Sequence, residues 1–328
     1  MSAGPLVVTF PVSERTRAVI GEALGAVVPV IYLAEIAAGE REPALRGAGA
    51  VLANDTSTEL SAAERQMIGK ARLLQFTAAG IDWVPLLDLP AGLPVAGNGG
   101  ASAEPMAEHI VALAFAAAKR LFAEHAALKT GEFNQRSPNK MLLGGVCGIL
   151  GFGGVGQATA RLMRGIGMTI HAINRSGQTD ATVDWIGTPD RLDEMLAVTD
   201  VFVICLALTR HTEGMIGARE LGLMKDDAIL INVARGEIVD EAALYAHLVA
   251  HPRFTAGIDA WWVEPVRHNT FSMNFPFLDL PNVIGSPHNS AGGGVWRDTS
   301  LRRAVANCKR ALASETPLHL ARDEERMR

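Results

Sequence analysis

Four side chains capable of acid–base or ionic chemistry lie at or just beyond apolar segments of the chain: Arg235, Asp259, Glu264 and His288. An arginine can orient a carboxylate and polarise a carbonyl group through its fixed set of donors. A protonated histidine can donate a proton to the carbonyl oxygen and take it back in the reverse direction. A carboxylate bonded to the other ring nitrogen would favour the charged imidazole. These residue types could therefore carry out acid–base chemistry on a bound small molecule if the fold brings them together.

The elements before these residues must bring them together. Short strands are predicted at Ala228–Asn232, Thr255–Asp259 and Asn282–Ser286. The carboxyl ends of parallel strands line the crevice where a doubly wound sheet binds its ligands, so convergence is expected there. Each residue also has a structural alternative: His288 as a loop or core histidine, Arg235 as an ion-pair partner and Asp259 as a turn cap.

A glycine motif precedes this group. Gly151, Gly153 and Gly156 fit the pattern G-x-G-x-x-G, between a predicted strand at Val146–Leu150 and a predicted helix at Val155–Gly165. In this context the first glycine permits a tight turn, the second lets the backbone approach a diphosphate and the third lets helix and strand pack closely. The helix N-terminus then favours the negative charge of the diphosphate. The motif predicts a dinucleotide-binding domain.

The end of the next predicted strand, Thr169–Ile173, indicates which dinucleotide is preferred. An NAD site normally has an acidic residue there, which accepts hydrogen bonds from the ribose hydroxyls. This chain instead has Asn174, Arg175 and Ser176. An arginine with a neighbouring hydroxyl can hold a 2′-phosphate that a carboxylate would repel. We predict NADP as the preferred cofactor, with NAD possible, although a solvated surface arginine is the alternative.

Strands alternate with helices along almost the whole chain, which is typical of an α/β protein with parallel sheets. One series occupies the first hundred residues, and a second begins at Gly145. Between them, a single long helix is predicted from a cap at Ser102 to about Lys129. The fold class expected is therefore α/β, with two Rossmann-like, doubly wound, parallel-sheet domains.

Composition excludes several classes of protein. The net charge of −5 gives no basic face for a nucleic acid. No apolar run reaches the roughly 18 residues of a membrane helix, and the N-terminus lacks the pattern of a signal peptide. The three cysteines lack the spacing of a metal site, and no metal is expected. A cytoplasmic protein with a small-molecule substrate, and without a membrane or nucleic-acid partner, is predicted.

The order of four motifs resembles that of the D-isomer-specific 2-hydroxyacid dehydrogenases: the glycine motif, N-V-A-R-G-E-I-V-D, D-x-W-W-x-E-P and S-P-H-N-S. The resemblance runs from about Phe76 to Ala291. It implies that residues 1–101 with 291–328 form a substrate domain, that 102–290 form the dinucleotide-binding domain, and that a deep cleft lies between them. It also implies a homodimer that reduces a small 2-oxo acid to the D-2-hydroxy acid, or the reverse.

The resemblance also assigns roles to individual residues. Arg235, Glu264 and His288 would be catalytic, and Asp259 would contact the nicotinamide end of the cofactor. The backbone of Ala79 and Gly80 would bind the substrate carboxylate together with Arg235 and His288. The remaining cofactor contacts would be Gly154, Val155, Leu206, Thr212, Val233, Ala234, Arg235, His288 and Ala291.

Related activities remain as alternatives. Glu264 argues against formate dehydrogenase, where an amide replaces the carboxylic acid partner of the histidine. A phosphite dehydrogenase has the same three residue types, and a corepressor-like scaffold would bind the dinucleotide with little turnover. The aromatic stretch 267–279 separates the Glu264 and His288 motifs and could shape either the pocket or a dimer contact. The sequence does not identify the acid, although glyoxylate and hydroxypyruvate fit the resemblance.

Overall fold

The computed structural model describes residues 4–25, 28–292 and 294–325. The chain forms two compact units. Unit 2 runs from Ala103 to Gly292, and unit 1 consists of the described residues on either side of it. The outermost residues of the predicted substrate domain, 1–3 and 326–328, lie outside the described residues.

The helices and strands follow the alternation that the sequence predicts. The strands are β1 Leu6–Val8, β2 Val30–Tyr32, β3 Ala50–Ala53, β4 Leu74–Phe76, β5 Val95–Ala96, β6 Val146–Leu150, β7 Thr169–Ile173, β8 Trp185–Gly187, β9 Val201–Ile204, β10 Ile229–Asn232, β11 Thr255–Ile258 and β12 Val283–Gly285. The α-helices are α1 Glu14–Leu24, α2 Ala38–Arg46, α3 Thr56–Glu59, α4 Ala62–Met67, α5 Ala103–Ala118, α6 Leu121–Lys129, α7 Gly154–Gly165, α8 Leu192–Val198, α9 Ala218–Leu221, α10 Glu241–Ala250, α11 Pro265–His268 and α12 Gly294–Leu312.

Unit 1 is built on a parallel five-stranded sheet in the order β2-β1-β3-β4-β5. All three residues of β1 are fully buried, as expected where both faces of a parallel sheet are covered. Ser13 caps α1 by accepting a hydrogen bond from the backbone N–H of Thr16. On one face of the sheet, Ile20 of α1 and Val305 of α12 join the same apolar cluster. The chain therefore returns to unit 1 after completing unit 2.

Unit 2 is a parallel seven-stranded sheet in the order β12-β11-β10-β9-β6-β7-β8. Helices α5 and α7 pack together, and their apolar side chains join those of the central strands in one core. Strand order reverses between β6 and β9, at the centre of the sheet. In such sheets ligands bind beside the carboxyl ends of the strands at this point. The two parallel α/β units confirm the predicted fold class.

The single long helix predicted from Ser102 to Lys129 is wrong. The structure has two helices there, because Arg120 adopts a left-handed backbone conformation with φ of 52°. The backbone N–H of Lys140 donates to the carbonyl of Ala118 at 2.9 Å, and the Lys119 ammonium donates to the Lys140 carbonyl at 2.7 Å. The returning chain thus takes the Ala118 carbonyl, which a continuous helix would use as an acceptor. Within the described part of the chain, no helix has the length and apolarity to span a membrane.

Candidate active site

The glycine motif forms a tight connection between β6 and α7. Gly151 has φ of +100°, and a Cβ there would lie 2.7 Å from the backbone nitrogen of Leu206. A Cβ on Gly156 would lie 2.3 Å from the carbonyl oxygen of Gly151. Both positions therefore exclude a side chain. At Gly151 the positive φ favours glycine and a Cβ would collide with the backbone of Leu206. At Gly156 a Cβ would prevent the helix from packing against the strand.

The start of α7 fits a diphosphate group. Gly153 is the N-cap residue, and a Cβ built on it would meet no atom within 4 Å. The first-turn N–H groups of a helix have no intrahelical acceptor and favour an anion. Gly153, Gly154 and Val155 can therefore present backbone donors at the surface, and Gly156 follows them as a buried residue. These are the predicted diphosphate residues.

The turn after β7 is organised by Asn174. Its Oδ1 accepts the backbone N–H groups of Ser176 at 3.1 Å and Gly177 at 2.7 Å, and its Nδ2 donates to the carbonyl of Gln178 at 2.7 Å. Asn174 therefore builds the turn where an NAD enzyme of this fold has its acidic residue. The side chain of Arg175 is exposed on the same turn. The three residues that follow β7 are thus an asparagine, an arginine and a serine, and none of these three has a carboxylate.

The remaining predicted cofactor residues lie on loops after the central strands. Leu206 follows β9 and packs its backbone against Gly151. The hydroxyl of Thr212 donates to the carbonyl of Ala207 at 2.8 Å and accepts the N–H of Thr209 at 2.8 Å, which closes the next turn. Two more residues, Val233 and Ala234, are buried beyond β10, and Ala291 is exposed near the end of unit 2.

Asn232 shapes the turn that carries Arg235. This buried residue ends β10, where its Oδ1 accepts the N–H of Ala234 at 3.0 Å and its Nδ2 donates to the carbonyl of Arg235 at 2.8 Å. Its own carbonyl accepts the N–H of Asp259 at 3.0 Å. Sequence reasoning included Asn232 in a motif without assigning it a role. A polar residue at the end of a fully apolar strand was the available signal.

Glu264 and His288 form a close pair. His288 Nδ1 lies 2.8 Å from each carboxylate oxygen of Glu264, and one of these oxygens also accepts the N–H of Trp261 at 2.7 Å. Burial alone would raise the pKa of Glu264, but these hydrogen bonds and the charges of His288 and Arg235 outweigh it and leave the pKa below its ordinary value. Glu264 is therefore held as a carboxylate beside the imidazole, within the field of Arg235.

Asp259 holds the loop that contains His288. The fully buried carboxylate accepts the Ser286 hydroxyl at 2.6 Å, the N–H of Asn289 at 3.2 Å and the N–H of Ser290 at 3.3 Å. Within this loop His288 has a left-handed backbone with φ of 49°, which is uncommon for a non-glycine residue. The observed bonds of Asp259 thus fix the loop that presents the imidazole.

His109, on α5, extends this network. Its Nε2 lies 3.0 Å from the hydroxyl of Ser286 and 3.7 Å from a carboxylate oxygen of Asp259. These contacts place His109 behind the His288 loop.

The aromatic stretch 267–279 packs onto the tryptophans that precede Glu264. Phe271 and Phe277 make edge-on contacts with Trp261, at centroid distances of 5.6 and 6.5 Å, and Phe277 stacks on Trp262 at 5.3 Å. Phe277 is fully buried, while Phe271 is about half exposed. Part of this stretch therefore forms a support beneath the segment that carries Glu264.

Ala79 and Gly80 lie in unit 1, after β4. The turn is braced by the N–H of Asn98, which donates to the carbonyl of Ala78 at 2.8 Å, and by Trp83 Nε1, which donates to the carbonyl of Gly80 at 3.2 Å. Ala79 itself is exposed. The structure thus brings Arg235, Asp259, Glu264, His288 and the glycine loop to one edge of the sheet in unit 2, with the Ala79–Gly80 turn belonging to unit 1.

Known proteins are similar to this chain in sequence. A hydroxypyruvate reductase from Thermotoga maritima is 33% identical over 202 residues, which are 61% of this chain and 64% of that protein. A glyoxylate reductase from Thermococcus gammatolerans is 36% identical over 184 residues, 54% of this chain and 53% of that protein. The matched regions span less than two thirds of either relative.

A solved structure supports the fold. The D-isomer specific 2-hydroxyacid dehydrogenase from Xanthobacter autotrophicus, in complex with NADPH and MES, is similar with a TM-score of 0.77 and 24% identity, over 97% of this chain and 98% of that one. The family profile described as D-isomer specific 2-hydroxyacid dehydrogenase, NAD binding domain, matches residues 111–290, which is more than half of the chain. The chain therefore belongs to the D-isomer-specific 2-hydroxyacid dehydrogenase family, as the order of its motifs predicts.

Proposed function

We propose that the protein is an NADP-preferring oxidoreductase that reduces a small 2-oxo acid to the D-2-hydroxy acid and catalyses the reverse reaction. The observation that carries the proposal is the Glu264–His288 pair, with His288 Nδ1 2.8 Å from both carboxylate oxygens and the charge of Arg235 acting on Glu264. A proton-transferring imidazole, a carboxylate that stabilises its charged form and an arginine are the groups that reduction of a 2-oxo acid requires.

The proposed roles follow from this geometry. Since Glu264 engages Nδ1 of His288, the ring nitrogen assigned to proton transfer is Nε2. In reduction His288 donates its proton to the carbonyl oxygen, and in oxidation it removes the hydroxyl proton. A bound nicotinamide would supply the hydride for the carbonyl carbon. Arg235 binds the substrate carboxylate and polarises the carbonyl group.

The turn after β7 supports the preference for NADP. Arg175 and Ser176 can bind a 2′-phosphate through a charge and a hydroxyl. Asn174 organises the turn through hydrogen bonds and has no negative charge that would repel the phosphate. We assign the diphosphate to the backbone of Gly151, Gly153, Gly154, Val155 and Gly156. The adjoining cofactor surface is assigned to Leu206, Thr212, Val233, Ala234, Asp259, His288 and Ala291.

We also propose separate roles for the two units and a homodimer. Unit 2 binds the dinucleotide, since it contains the glycine motif and the family profile, and unit 1 contributes to substrate binding. Leu121, Phe122 and Leu128 of α6 are each more than half exposed. An exposed apolar helix surface of this kind is suited to a second copy of the chain.

The test is turnover with purified protein. NADPH and NADH are compared side by side against glyoxylate, hydroxypyruvate, pyruvate and phenylpyruvate, and the D-configuration of the product is determined by chiral chromatography. The proposal predicts turnover with at least one acid, and a higher kcat/KM for NADPH than for NADH. Binding of NADPH without reduction of any acid would favour a scaffold, and reduction of NADP⁺ by phosphite would favour the phosphite dehydrogenase alternative.

A further inference from the structure

A largely buried ion pair links the two segments that carry Arg235 and Glu264. Arg267 Nη1 lies 2.6 Å from Glu237 Oε1, and the side chains are only 6% and 21% exposed. The ion pair of Arg219 with Asp193, in the same unit, has both side chains more than half exposed. The Glu237–Arg267 pair is therefore in a much less hydrated environment.

The position of the pair along the chain connects it with the candidate catalytic residues. Arg235 directly precedes the short 3-10 turn Gly236–Ile238, which contains Glu237. Glu264 directly precedes α11, which contains Arg267. The backbone carbonyl of Glu264 accepts the N–H of Arg267 at 3.1 Å, so α11 is fastened to Glu264 itself. The ion pair thus joins two tight turns, each starting from a residue proposed to act in catalysis.

Backbone packing fixes the same two segments at a second place. A Cβ on Gly236 would lie 2.4 Å from the carbonyl carbon of Trp261, so the chain after Arg235 runs directly against the chain before Glu264. Trp262 Nε1 also donates to the carbonyl of Val239 at 2.7 Å. The side-chain ion pair therefore adds a charged link to segments that already touch through their backbones.

A buried ion pair contributes little net stability, because desolvation of both groups offsets their attraction. In some proteins such a pair instead selects one geometry over neighbouring ones. We propose that Glu237 and Arg267 are positioning residues, which fix the placement of Arg235 relative to the Glu264–His288 pair. This inference rests on the proposed function, since it concerns the alignment of groups that reduce a 2-oxo acid.

The test is a double-mutant cycle with Arg267→Met, Glu237→Gln and the combined variant. Each single change is expected to lower kcat for the best 2-oxo acid by roughly 10- to 100-fold, because small misplacements of catalytic groups are costly. The Kd for NADPH should stay unchanged, since the diphosphate is assigned to the glycine loop after β6. The combined variant should lose no more than the worse single one, because both changes disrupt the same link.

Two further measurements separate positioning from a general loss of structure. Binding of oxamate, an unreactive 2-oxo acid analogue, to the NADPH complex should weaken in the single variants, as measured by calorimetry. Arg267→Lys keeps the charge and should recover part of kcat, although it lacks the guanidinium fork. Arg219→Met, which breaks an exposed ion pair in the same unit, is the matched control and should leave kcat unchanged.

The outcomes are distinguishable from failure of the proposed function. A wild-type protein that binds NADPH and reduces no acid would contradict the proposed function, and this inference with it. Wild-type turnover together with unchanged kcat and oxamate affinity in folded Glu237→Gln and Arg267→Met would overturn the inference alone. A fall in melting temperature in those variants, with kcat of the folded protein unchanged, would overturn it as well.

Discussion

His288 Nδ1 stands 2.8 Å from both carboxylate oxygens of Glu264, although 24 residues separate the two in sequence. They meet because β11 and β12 are parallel neighbours in the sheet of unit 2, so the loops that follow them leave the same edge. Asp259, at the end of β11, holds the His288 loop through three hydrogen bonds. The pairing of the two side chains is thus a consequence of strand order and of one buried carboxylate.

Replacing Glu264 by glutamine removes the negative charge beside the imidazole and keeps the size of the side chain. A hydrogen bond to a charged group contributes about 1.5–3 kcal/mol, so kcat is expected to fall by roughly 10- to 100-fold. The Kd for NADPH should change little, and fluorescence titration provides that control. A Glu264→Gln variant with wild-type kcat would show that the carboxylate has no part in the reaction.

The lowered pKa of Glu264 predicts a pH-dependent contribution to stability. Although burial opposes the shift, the hydrogen bonds from His288 and Trp261 make the folded pKa lower than the ordinary value of 4.5. A carboxyl whose folded pKa is depressed stabilises the fold above its ordinary pKa, and loses that contribution as the pH falls through the folded value.

Urea unfolding of wild type and Glu264→Gln at several pH values measures this contribution. The free energy of unfolding should differ most above about pH 4.5, and the difference should shrink as the pH is lowered below that value. A difference that is constant with pH, or that grows in acid, would contradict the assignment.

Arg175→Ala should weaken NADPH binding and spare NADH. Loss of a charge-assisted contact with the 2′-phosphate is expected to raise the KM for NADPH by about tenfold or more, because such contacts contribute about 1.5–3 kcal/mol. Arg219→Met serves as a control for the loss of an exposed arginine in the same unit. Equal KM values for NADPH in wild type and Arg175→Ala would refute the role of this turn.

Gly156→Ala should destabilise unit 2. The new Cβ would lie 2.3 Å from the carbonyl oxygen of Gly151, so helix and strand would have to separate, at a cost of about 1–3 kcal/mol. Gly165→Ala, in the same helix, is a matched control, since its Cβ would meet no atom within 4 Å. That change should be neutral or stabilising. Denaturant unfolding of both variants checks the contrast, and equal stabilities would contradict it.

The sequence predicted the fold well where local signals and packing agree. The predicted strands Val146–Leu150 and Thr169–Ile173 coincide with β6 and β7, because apolar side chains of both strands belong to the core of unit 2. The break between α5 and α6 was not predictable, because the alanine-rich sequence favours helix through Arg120 and the interruption comes from contacts with Lys140. Strand β8 was also missed, since three residues at the edge of a sheet give little periodicity.

Within the candidate site, motif order identified the reactive residues and the strand ends that carry them. The residues that hold them in place were less accessible. The hydrogen bonds of Asn232 to Ala234 and Arg235 depend on how one turn folds back, and the ion pair of Glu237 with Arg267 depends on two turns that are distant in sequence. Such tertiary contacts leave no pattern in a single sequence.

The central claim is that His288 transfers the proton in reduction of a 2-oxo acid. Its most direct test is kcat for wild type and His288→Ala, measured by NADPH oxidation at saturating hydroxypyruvate or glyoxylate. We expect kcat to fall by about 10²- to 10⁴-fold in the variant, the usual contribution of a general acid, with the Kd for NADPH unchanged. Full turnover by a folded His288→Ala protein would contradict the mechanism.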